Sequence, residues 1–245
     1  TRLPKGLSIF DLSDIPEKDK ETIQPLLNRY SVASEDTFAA LNRAFIHHGS
    51  VVTIGDKVVL DKLIHIIHIT TTKQNDIITF PRTLIILEKS SEAQILESHI
   101  AFSDVSYFAN AVSDIFLAEN AKLRYYKAQG ESPNAFHIGT TRVWQERHSQ
   151  FESFSFSIGA LITRNNLTVT LNGEGSSAVL NGLYAATGNQ HVDNHTVVDH
   201  RPPHCISNQL YKGILDDNAK AVFNGKIFVR REAQQTNSYQ LNKNL

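Results

Sequence analysis

The chain has 245 residues, 41% of them hydrophobic, and a mean hydropathy of -0.24. These values are typical of an ordinary globular domain, which buries a sizeable core without disulfides or metal ions. Twenty-four Lys and Arg residues against 25 Asp and Glu residues give a formal charge of -1. This balance excludes a strong global field for nucleic acid or anionic lipid, so we expect neither nucleic acid nor a membrane as a partner.

The single cysteine, Cys205, excludes an intrachain disulfide and favours a reducing compartment. No apolar run approaches the roughly 18 residues of a membrane span. The N-terminal sequence TRLPKGLSIFDLSD also lacks the apolar core of a signal peptide. The chain begins at Thr1 and contains no methionine. We interpret it as a trimmed piece of a larger protein, with a boundary of no functional meaning as the alternative.

Helical periodicity is confined to the first 49 residues. One helix is expected to be capped by Ser34 or Asp36, and a shorter helix is expected before it, around residues 18–27. The apolar positions of the capped helix are Phe38, Leu41, Ala44 and Phe45. We expect residues 1–49 to form a small helical cap or linker over the open end of the domain that follows, with a partner-binding helix as the alternative.

From residue 50 onward the chain is a series of short runs rich in Val, Ile, Thr and Phe, which are typical of strands. Several of them alternate between apolar and polar residues, as in the sequence FSFS. The runs cover residues 50–54, 58–60, 63–70, 77–80, 83–87, 105–108, 111–117, 123–128, 136–145, 151–158, 167–171, 179–184, 191–198 and 221–230. So many short strands allow a sandwich, a barrel or a β-solenoid.

A weak internal repeat favours the solenoid. Aligning Ala93, Ala121, Ser176 and Ala219 gives spacings of 28, 55 and 43 residues, and Ser149 lies near the middle of the second. A period near 28 fits one turn of a parallel β-helix, in which stacked turns bury a common core. The last spacing breaks the period by about half a turn, at a histidine-rich segment. Chance similarity among Ala, Asn and Gly turns is the alternative.

The histidine-rich segment has the highest density of possible ligands in the chain. His191, His195, His200, His204 and Cys205 fall within fifteen residues. On a strand, residues four apart share a face, so the first two histidines are expected to point the same way. Together the five side chains offer a tetrahedral nitrogen and sulfur set that suits zinc or iron.

Two carboxylates in the same segment, Asp193 and Asp199, are placed to orient the imidazoles of such a metal site. The spacing matches no standard zinc pattern, however, and the bend at residues 201–203 separates the two halves. A structural role, in which stacked polar side chains bond to one another inside a solenoid, is the interpretation we favour. Cys205 is likewise expected to be a buried, inert thiol rather than a sulfur-carrying nucleophile.

The same part of the chain carries a family resemblance. The run GNQHVDNHTVVDHRPPHCISNQLYKGILDD is preceded by LNGEGSSAVLNGLY and followed by AVFNGKIFVRREAQQTNSYQLNKNL. This sequence closely resembles the SufD branch of the SufB/SufD family of iron–sulfur cluster assembly proteins. The specific match covers roughly residues 165–245, and the earlier strand series is compatible with it.

The resemblance implies a right-handed parallel β-helix that serves as a scaffold subunit, with a SufB-like subunit and a SufC-like ABC ATPase as partners. In that family SufD pairs with SufB through the β-helix cores, and a C-terminal helical domain docks the ATPase. We expect that domain and the family's late Cys-x-His motif to be missing from this chain. The resemblance implies an iron–sulfur cluster at the level of the complex, with no cofactor held by this chain itself.

We therefore predict an all-β chain with a helical cap at residues 1–49 and a β-helix core at residues 50–245. It is expected to be a non-catalytic scaffold in the bacterial cytoplasm or in a plastid, and a homodimer through the β-helix is a further expectation. The residues expected to serve structure or subunit contact are His191, Asp193, Asn194, His195, His200, His204, Tyr211 and Lys212.

Two enzymes are the alternatives. One is a β-helix enzyme that acts on polysaccharide and uses paired carboxylates, for which Glu97 with Asp104 is a candidate pair. The other is a metal-dependent hydrolase that uses the four clustered histidines.

Overall fold

The computed structural model describes residues 3–29, 36–71 and 73–245. These residues form helices α1 (Glu17–Arg29) and α2 (Thr37–Phe45), with a 3₁₀ turn at Leu12–Asp14. The strands are β1 (Leu7–Asp11), β2 (Ser50–Ile54), β3 (Ile64–Thr70), β4 (Ile77–Thr79), β5 (Arg82–Leu87), β6 (Glu92–Ala101), β7 (Tyr107–Leu117), β8 (Lys122–Glu131), β9 (Phe136–Gln145), β10 (Gln150–Gly159), β11 (Ile162–Leu171), β12 (Ser177–Ala186), β13 (His191–His200), β14 (Ile206–Leu215), β15 (Lys220–Val229) and β16 (Asn237–Asn244).

The strands form a parallel β-solenoid with two faces, which confirms the predicted fold. One face, sheet A, has the order β1-β2-β5-β7-β9-β11-β13-β15, with β4 also paired to β7. The other face, sheet B, has the order β16-β14-β12-β10-β8-β6-β3. From β5 onward successive strands alternate between the sheets, so each turn adds one strand to each face, and about seven turns stack on one another.

Side chains alternate between the interior and the surface along each strand. In β12, for example, half-buried and buried residues follow each other in strict alternation. Pairing in register then stacks the inward residues of successive turns, as Leu180 stacks between Ser153 and Gln209. The interior is therefore a set of side-chain ladders that run along the solenoid.

The internal repeat is real, but its register differs from the one expected. Glu92 pairs with Lys122, Gln150 with Lys122, Ser177 with Gln150 and Ile206 with Ser177. The residues just before these positions are equivalent to one another. They are Ser91, Ala121, Ser149, Ser176 and Cys205, and all five are buried at a corner between the sheets.

Two residues of the expected alignment lie elsewhere. Ala93 pairs with Leu123 and so lies two positions beyond the corner. Ala219 precedes Lys220, which pairs with His191, so it belongs to the opposite corner of the solenoid. The apparent break of half a turn therefore reflects a comparison of two different corners, and the histidine segment is a regular turn.

The positions of strands were predicted best where a strand is rich in β-branched residues. The sequence missed β1, β6, β14 and β16, and it split β7 in two. Residues 58–60 form an isolated bridge at Val59 rather than a strand. In β6 the sequence EAQILESHIA contains several polar residues with low strand propensity, whose inward members find partners inside the solenoid.

The N-terminal helices lie on the side of the solenoid, whereas we expected them over its open end. In α1, Ile23 packs among Val51, Leu84 and Phe116 on the outer face of sheet A. The first edge of sheet A is instead covered by β1, which pairs antiparallel with β2. Helix α1 is also longer than the expected 18–27, and longer than α2.

Helix α2 is fixed to the solenoid by hydrogen bonds. Its N-cap is Asp36, whose Oδ1 accepts from the backbone N–H groups of Phe38 (3.0 Å) and Ala39 (3.2 Å). The other expected cap, Ser34, lies outside the described residues. The Asn42 amide donates to the carbonyl of Asn110 at 2.7 Å, and this contact ties the helix to β7.

A buried ion group lies on the same side of sheet A. Asp114 in β7 is fully buried between Arg82 of β5 and Arg142 of β9, and Arg142 pairs with it in register. Arg142 donates from Nε to Oδ1 at 2.6 Å and from Nη2 to Oδ2 at 2.9 Å, and Arg82 also donates to Oδ2. One carboxylate thus pairs with two guanidiniums and links three turns.

We expect Asp114→Ala to lower the free energy of unfolding by about 3–5 kcal/mol, because it removes the carboxylate that two buried cations share. Urea unfolding followed by Trp144 fluorescence measures this change. The control is Glu152→Ala, which breaks an exposed pair with Arg124 (3.3 Å) and is expected to cost less than about 1 kcal/mol. Equal losses in the two variants would contradict the assignment.

Candidate functional site

The predicted histidines lie on both sides of the wall that β13 forms. His191 and His195 face outward from sheet A, so their expected common face is observed. His200 faces inward and is fully buried, and its Nε2 lies 2.9 Å from the Ser207 hydroxyl. His204 lies in the following turn with a φ of 62° and a half-exposed side chain.

Cys205 completes the expected set but lies inside the apolar core. The five donors are therefore divided between the interior and the surface, because alternate residues of a strand point to opposite sides. They do not meet at one point. Among the described residues, the group of three or more His, Cys, Asp or Glu side chains whose ligand atoms lie within 4.8 Å is found elsewhere.

Asp193 and His195, on the outward side of β13, form ion pairs. Asp193 accepts from Arg164 Nη1 at 2.8 Å, and its other oxygen lies 2.8 Å from His195 Nε2. Asn194, between them in sequence, is buried and accepts from the Asn165 amide at 3.3 Å inside the solenoid. Asp193, which was expected to orient an imidazole at a metal site, thus contacts His195 in an ion network at the surface.

Asp199 serves a different ion group from the one expected. Its carboxylate accepts from Arg230 Nε at 2.7 Å and from Arg201 Nε at 3.0 Å. Burial opposes ionisation, but hydrogen bonds from these two arginines lower the pKa of Asp199 below its usual range. Asp199 therefore links β13 to the end of β15 through charge rather than orienting an imidazole.

The Cys205 thiol occupies a corner position that the preceding turns fill with serine or alanine. Its Sγ lies 3.4 Å from the Ser176 hydroxyl and 3.6 Å from the Gly173 carbonyl. The residue has no exposed surface. Because the preceding turns hold Ser149 and Ala121 at equivalent positions, the geometry supports a packing role for this thiol.

Tyr211 and Lys212 lie on opposite sides of β14. The Tyr211 ring packs on Gly182 in the neighbouring strand, where a Cβ atom would come within 2.3 Å of the ring. Tyr184 packs on Gly213 in the same way, so each of the two paired strands places a tyrosine against a glycine of the other. Burial raises the pKa of Tyr211 to about 12. Lys212 is exposed.

Glu97 forms the centre of a buried polar cluster that the sequence did not predict. This residue of β6 is 1% exposed. Its Oε1 lies 2.9 Å from His68 Nε2 and accepts from the Thr83 hydroxyl at 2.8 Å. Its Oε2 accepts from Ser113 at 2.9 Å and from Tyr125 at 2.5 Å. Groups from strands of both sheets therefore hold one carboxylate inside the solenoid.

The cluster shifts the pKa values of its members. Burial alone would raise the pKa of Glu97, but the hydrogen bond and charge of His68, with help from His99 and Tyr125, lower it. Burial, together with the charges of His137 and His68, holds the pKa of His99 well below its usual range. Burial and Glu97 raise the pKa of Tyr125 well above its usual range. The carboxylate is thus ionised and the His99 imidazole neutral.

A second buried carboxylate lies one turn further along. Glu131 Oε2 is 2.6 Å from His137 Nδ1, and its Oε1 accepts from the Tyr107 hydroxyl at 3.0 Å. Lys127, on the same strand as Glu131, also points inward, and its Nζ lies 3.4 Å from Asn165 Oδ1. Glu97 and Glu131 counter the effect of burial, which lowers the pKa of Lys127. The polar interior therefore extends over several turns.

A signal for this cluster was present in the alternation of β6. Ala93, Ile95, Glu97 and His99 occupy one face of the strand, so two ionisable residues continue an apolar series. The sequence instead suggested a pair of Glu97 with Asp104. Asp104 is exposed in the loop after β6, whereas Glu97 is inside, so that pair does not form a glycosidase site.

The fold and this interior define the chain as a parallel β-solenoid domain with a polar core. The family model for "SUF system FeS cluster assembly, SufBD core domain" matches residues 68–245, and that for "SufBD protein N-terminal region" matches residues 1–66. The chain therefore belongs to the SufB/SufD family of SUF iron–sulfur cluster assembly proteins, as the resemblance indicated.

Three curated relatives illustrate the similarity. An iron–sulfur cluster assembly SufBD family protein of Synechocystis is 32% identical over 99% of this chain and 55% of its own length. Iron–sulfur cluster assembly protein SufD of Escherichia coli is 33% identical over 65% of the chain and 38% of its own length. Protein ABCI7, chloroplastic, of Arabidopsis thaliana is 33% identical over 67% and 35%. The chain thus spans about half or less of these relatives.

Neither helix in the described part of the chain is long and apolar enough to cross a membrane.

We expect the native Cys205 thiol to react with a disulfide reagent such as DTNB at least about 100-fold more slowly than in the urea-unfolded chain, because reaction needs an exposed thiolate. The assay reports one thiol, since the chain has one cysteine. The control is a thiol at the exposed Asn208, made as Asn208→Cys in a Cys205→Ala background, which should react rapidly. Rapid labelling of native Cys205 would contradict the packing role.

His200 should make the free energy of unfolding depend on pH. Burial lowers the pKa of His200 below 6.5, and Asp199 opposes this shift. Below pH 6.5 the unfolded histidine binds a proton that the folded one excludes, so stability present above that pH is lost as pH falls. We expect His200→Gln to reduce the slope of unfolding free energy against pH in this window by up to about 1.4 kcal/mol per pH unit.

Urea unfolding at a series of pH values between about 7 and 5 measures this slope. The exposed His47 provides the control, and His47→Gln is expected to keep the slope of the original chain. An unchanged slope in His200→Gln would show that the buried imidazole does not resist protonation.

Proposed function

We propose that this chain forms the scaffold of a SUF subunit that pairs with a SufB-like subunit and is coupled to a SufC-like ABC ATPase. The observation that carries the proposal is the match of the SufBD core family to residues 68–245, which span nearly the whole solenoid. The Escherichia coli relative named SufD supports the same role. The proposed location is the bacterial cytoplasm or a plastid.

The chemistry of the side chains supports a scaffold rather than a catalyst. Iron–sulfur clusters are held mainly by cysteine thiolates, and the one cysteine of this chain packs at an interior corner. In β13, Asp193 and His195 are ion-paired on the surface and His200 is bonded in the interior. We therefore assign cluster chemistry to the assembled complex, where the cluster is the cargo.

The late turns offer an outer surface, spread over both sheets, for subunit pairing. Their outer faces expose large apolar side chains beside charged ones, a mixture that is common at protein interfaces. The exposed apolar residues on these faces include Ile206, Ile214, Val222, Phe228 and Tyr239. His191, Asp193, His195, His204 and Lys212 complete this surface in our proposal, whereas Asn194, His200 and Tyr211 support it from inside. The same surface offers a route to a homodimer.

Co-expression of the full-length protein with SufB-like and SufC-like subunits tests the proposal. We expect the three proteins to purify as one complex of defined mass. Charge reversal on the surface, as Asp193→Lys on sheet A or Lys212→Glu on sheet B, is expected to weaken pairing about 10-fold in at least one variant, which corresponds to about 1.4 kcal/mol.

The matched control is Glu152→Lys, an outward charge reversal on β10, away from the late turns. It is expected to leave the complex intact. Failure of the unaltered protein to purify with either partner would refute the scaffold proposal. An intact complex in both surface variants would refute only the assigned surface.

A further inference from the structure

Two histidines and a glutamate meet in the first turns of the solenoid. His68 and His99 pair in register on β3 and β6, and their rings stack with centroids 4.7 Å apart. Glu97 precedes His99 by two residues and therefore points to the same interior. The ligand atoms of these three side chains all lie within 4.8 Å of one another. This is the combination of two imidazoles and one carboxylate that divalent first-row transition metals prefer.

His99 provides an independent indication of a missing ligand. Its side chain is 98% buried, and its Nε2 has no hydrogen-bond partner in the described structure. That atom lies 3.9 Å from Glu97 Oε1, on the side that faces the cluster. Leaving a polar nitrogen buried and unbonded costs about 1–3 kcal/mol. A metal ion at this point would occupy the lone pair of the neutral imidazole.

The charges in the interior also favour a cation. Glu97 and Glu131 are two buried carboxylates, and Lys127 is half-buried and points into the same interior. The lysine pairs in register with Glu97 and lies on the strand of Glu131. A cation bound beside Glu97 would offset the charge of a buried carboxylate, which is costly to leave uncompensated.

The distances are close to those of a metal shell. Metal bonds of about 2.0–2.2 Å place tetrahedral donors about 3.3 Å apart. The His68–Glu97 separation is 2.9 Å and the His99–Glu97 separation is 3.9 Å. Both lie within about 0.6 Å of that value, and the two histidine ligand atoms lie within 4.8 Å of each other, so side-chain movements would be needed to complete the shell.

The surroundings would support and admit an ion. Thr83 and Ser113 donate hydrogen bonds to Glu97 and hold its carboxylate in place, as the groups behind metal ligands commonly do. His68 lies on β3, the terminal strand of sheet B, and its side chain is 18% exposed. The cluster therefore has one side open to exchange.

We propose that His68, Glu97 and His99 form a binding site for one divalent first-row transition-metal ion inside the solenoid. The site is separate from the late turns that we assign to subunit pairing. The proposal does not depend on the scaffold function.

Titration of the tag-free, chelator-treated full chain with Co²⁺ tests the site, because Co²⁺ accepts the same donors as Zn²⁺ and Fe²⁺ and reports coordination by visible absorption. We expect one ion per chain, displacement by Zn²⁺, and a higher unfolding temperature with metal. His68→Gln and Glu97→Gln are each expected to weaken binding by at least about 100-fold, since loss of an outer-shell group alone costs about 10–100-fold.

The matched control is His200→Gln, which alters an equally buried histidine several turns away and should bind Co²⁺ as the original chain does. Because Glu97→Gln risks unfolding, circular dichroism is recorded for every variant, and the partly exposed His68 provides the safer substitution. Binding weaker than about 1 mM would overturn the proposal. Equal binding in His68→Gln and the original chain, or equal losses in His68→Gln and His200→Gln, would also overturn it.

Discussion

The structure depends on one constraint, the in-register stacking of parallel strands whose side chains alternate between inside and outside. Each strand pairs with the equivalent strand of the turns before and after it, as β11 pairs with β9 and β13 over its whole length. An inward residue is therefore enclosed by the inward residues of its neighbours, and its character must suit theirs. This requirement produces rows of stacked inward side chains that are apolar, small or polar. The alternation also divides β13 into a buried side and an exposed side.

The rule also explains why ionisable groups are found in the core. A buried carboxylate is tolerated only when donors surround it, and the stacked turns deliver four of them to Glu97 from different strands. The same geometry leaves His99 Nε2 without a partner in the described structure. The stacked turns therefore hold several donor groups close together inside the solenoid.

The scaffold and metal-site roles that we propose use different parts of the molecule. The polar cluster around Glu97 lies in the first turns, beside the strands that the N-terminal helices flank. The exposed apolar side chains of β14 and β15 lie in the late turns. A solenoid allows this separation because each turn contacts mainly its neighbours, so one end changes its chemistry without repacking the other.

The sequence by itself determined the class of fold and the family. Turn residues, β-branched runs and the late sequence block are local features, so the solenoid and the strands β2 and β9 were predicted closely. Strands such as β6, whose polar residues lower the strand propensity, were not predicted. The sequence also determined that His191 and His195 share a face, because that follows from strand periodicity alone.

Only the tertiary structure decided which distant residues meet. His68, Glu97 and Tyr125 are far apart in the chain and converge because successive turns stack in register. His195, His200 and Cys205 are near one another in sequence but lie apart in space. Because side chains alternate along β13, His195 faces outward and His200 faces inward, and Cys205 lies in the core at the corner that follows. Proximity along a strand does not predict proximity in space, whereas the register between turns does, and register is set by the packing of the whole solenoid.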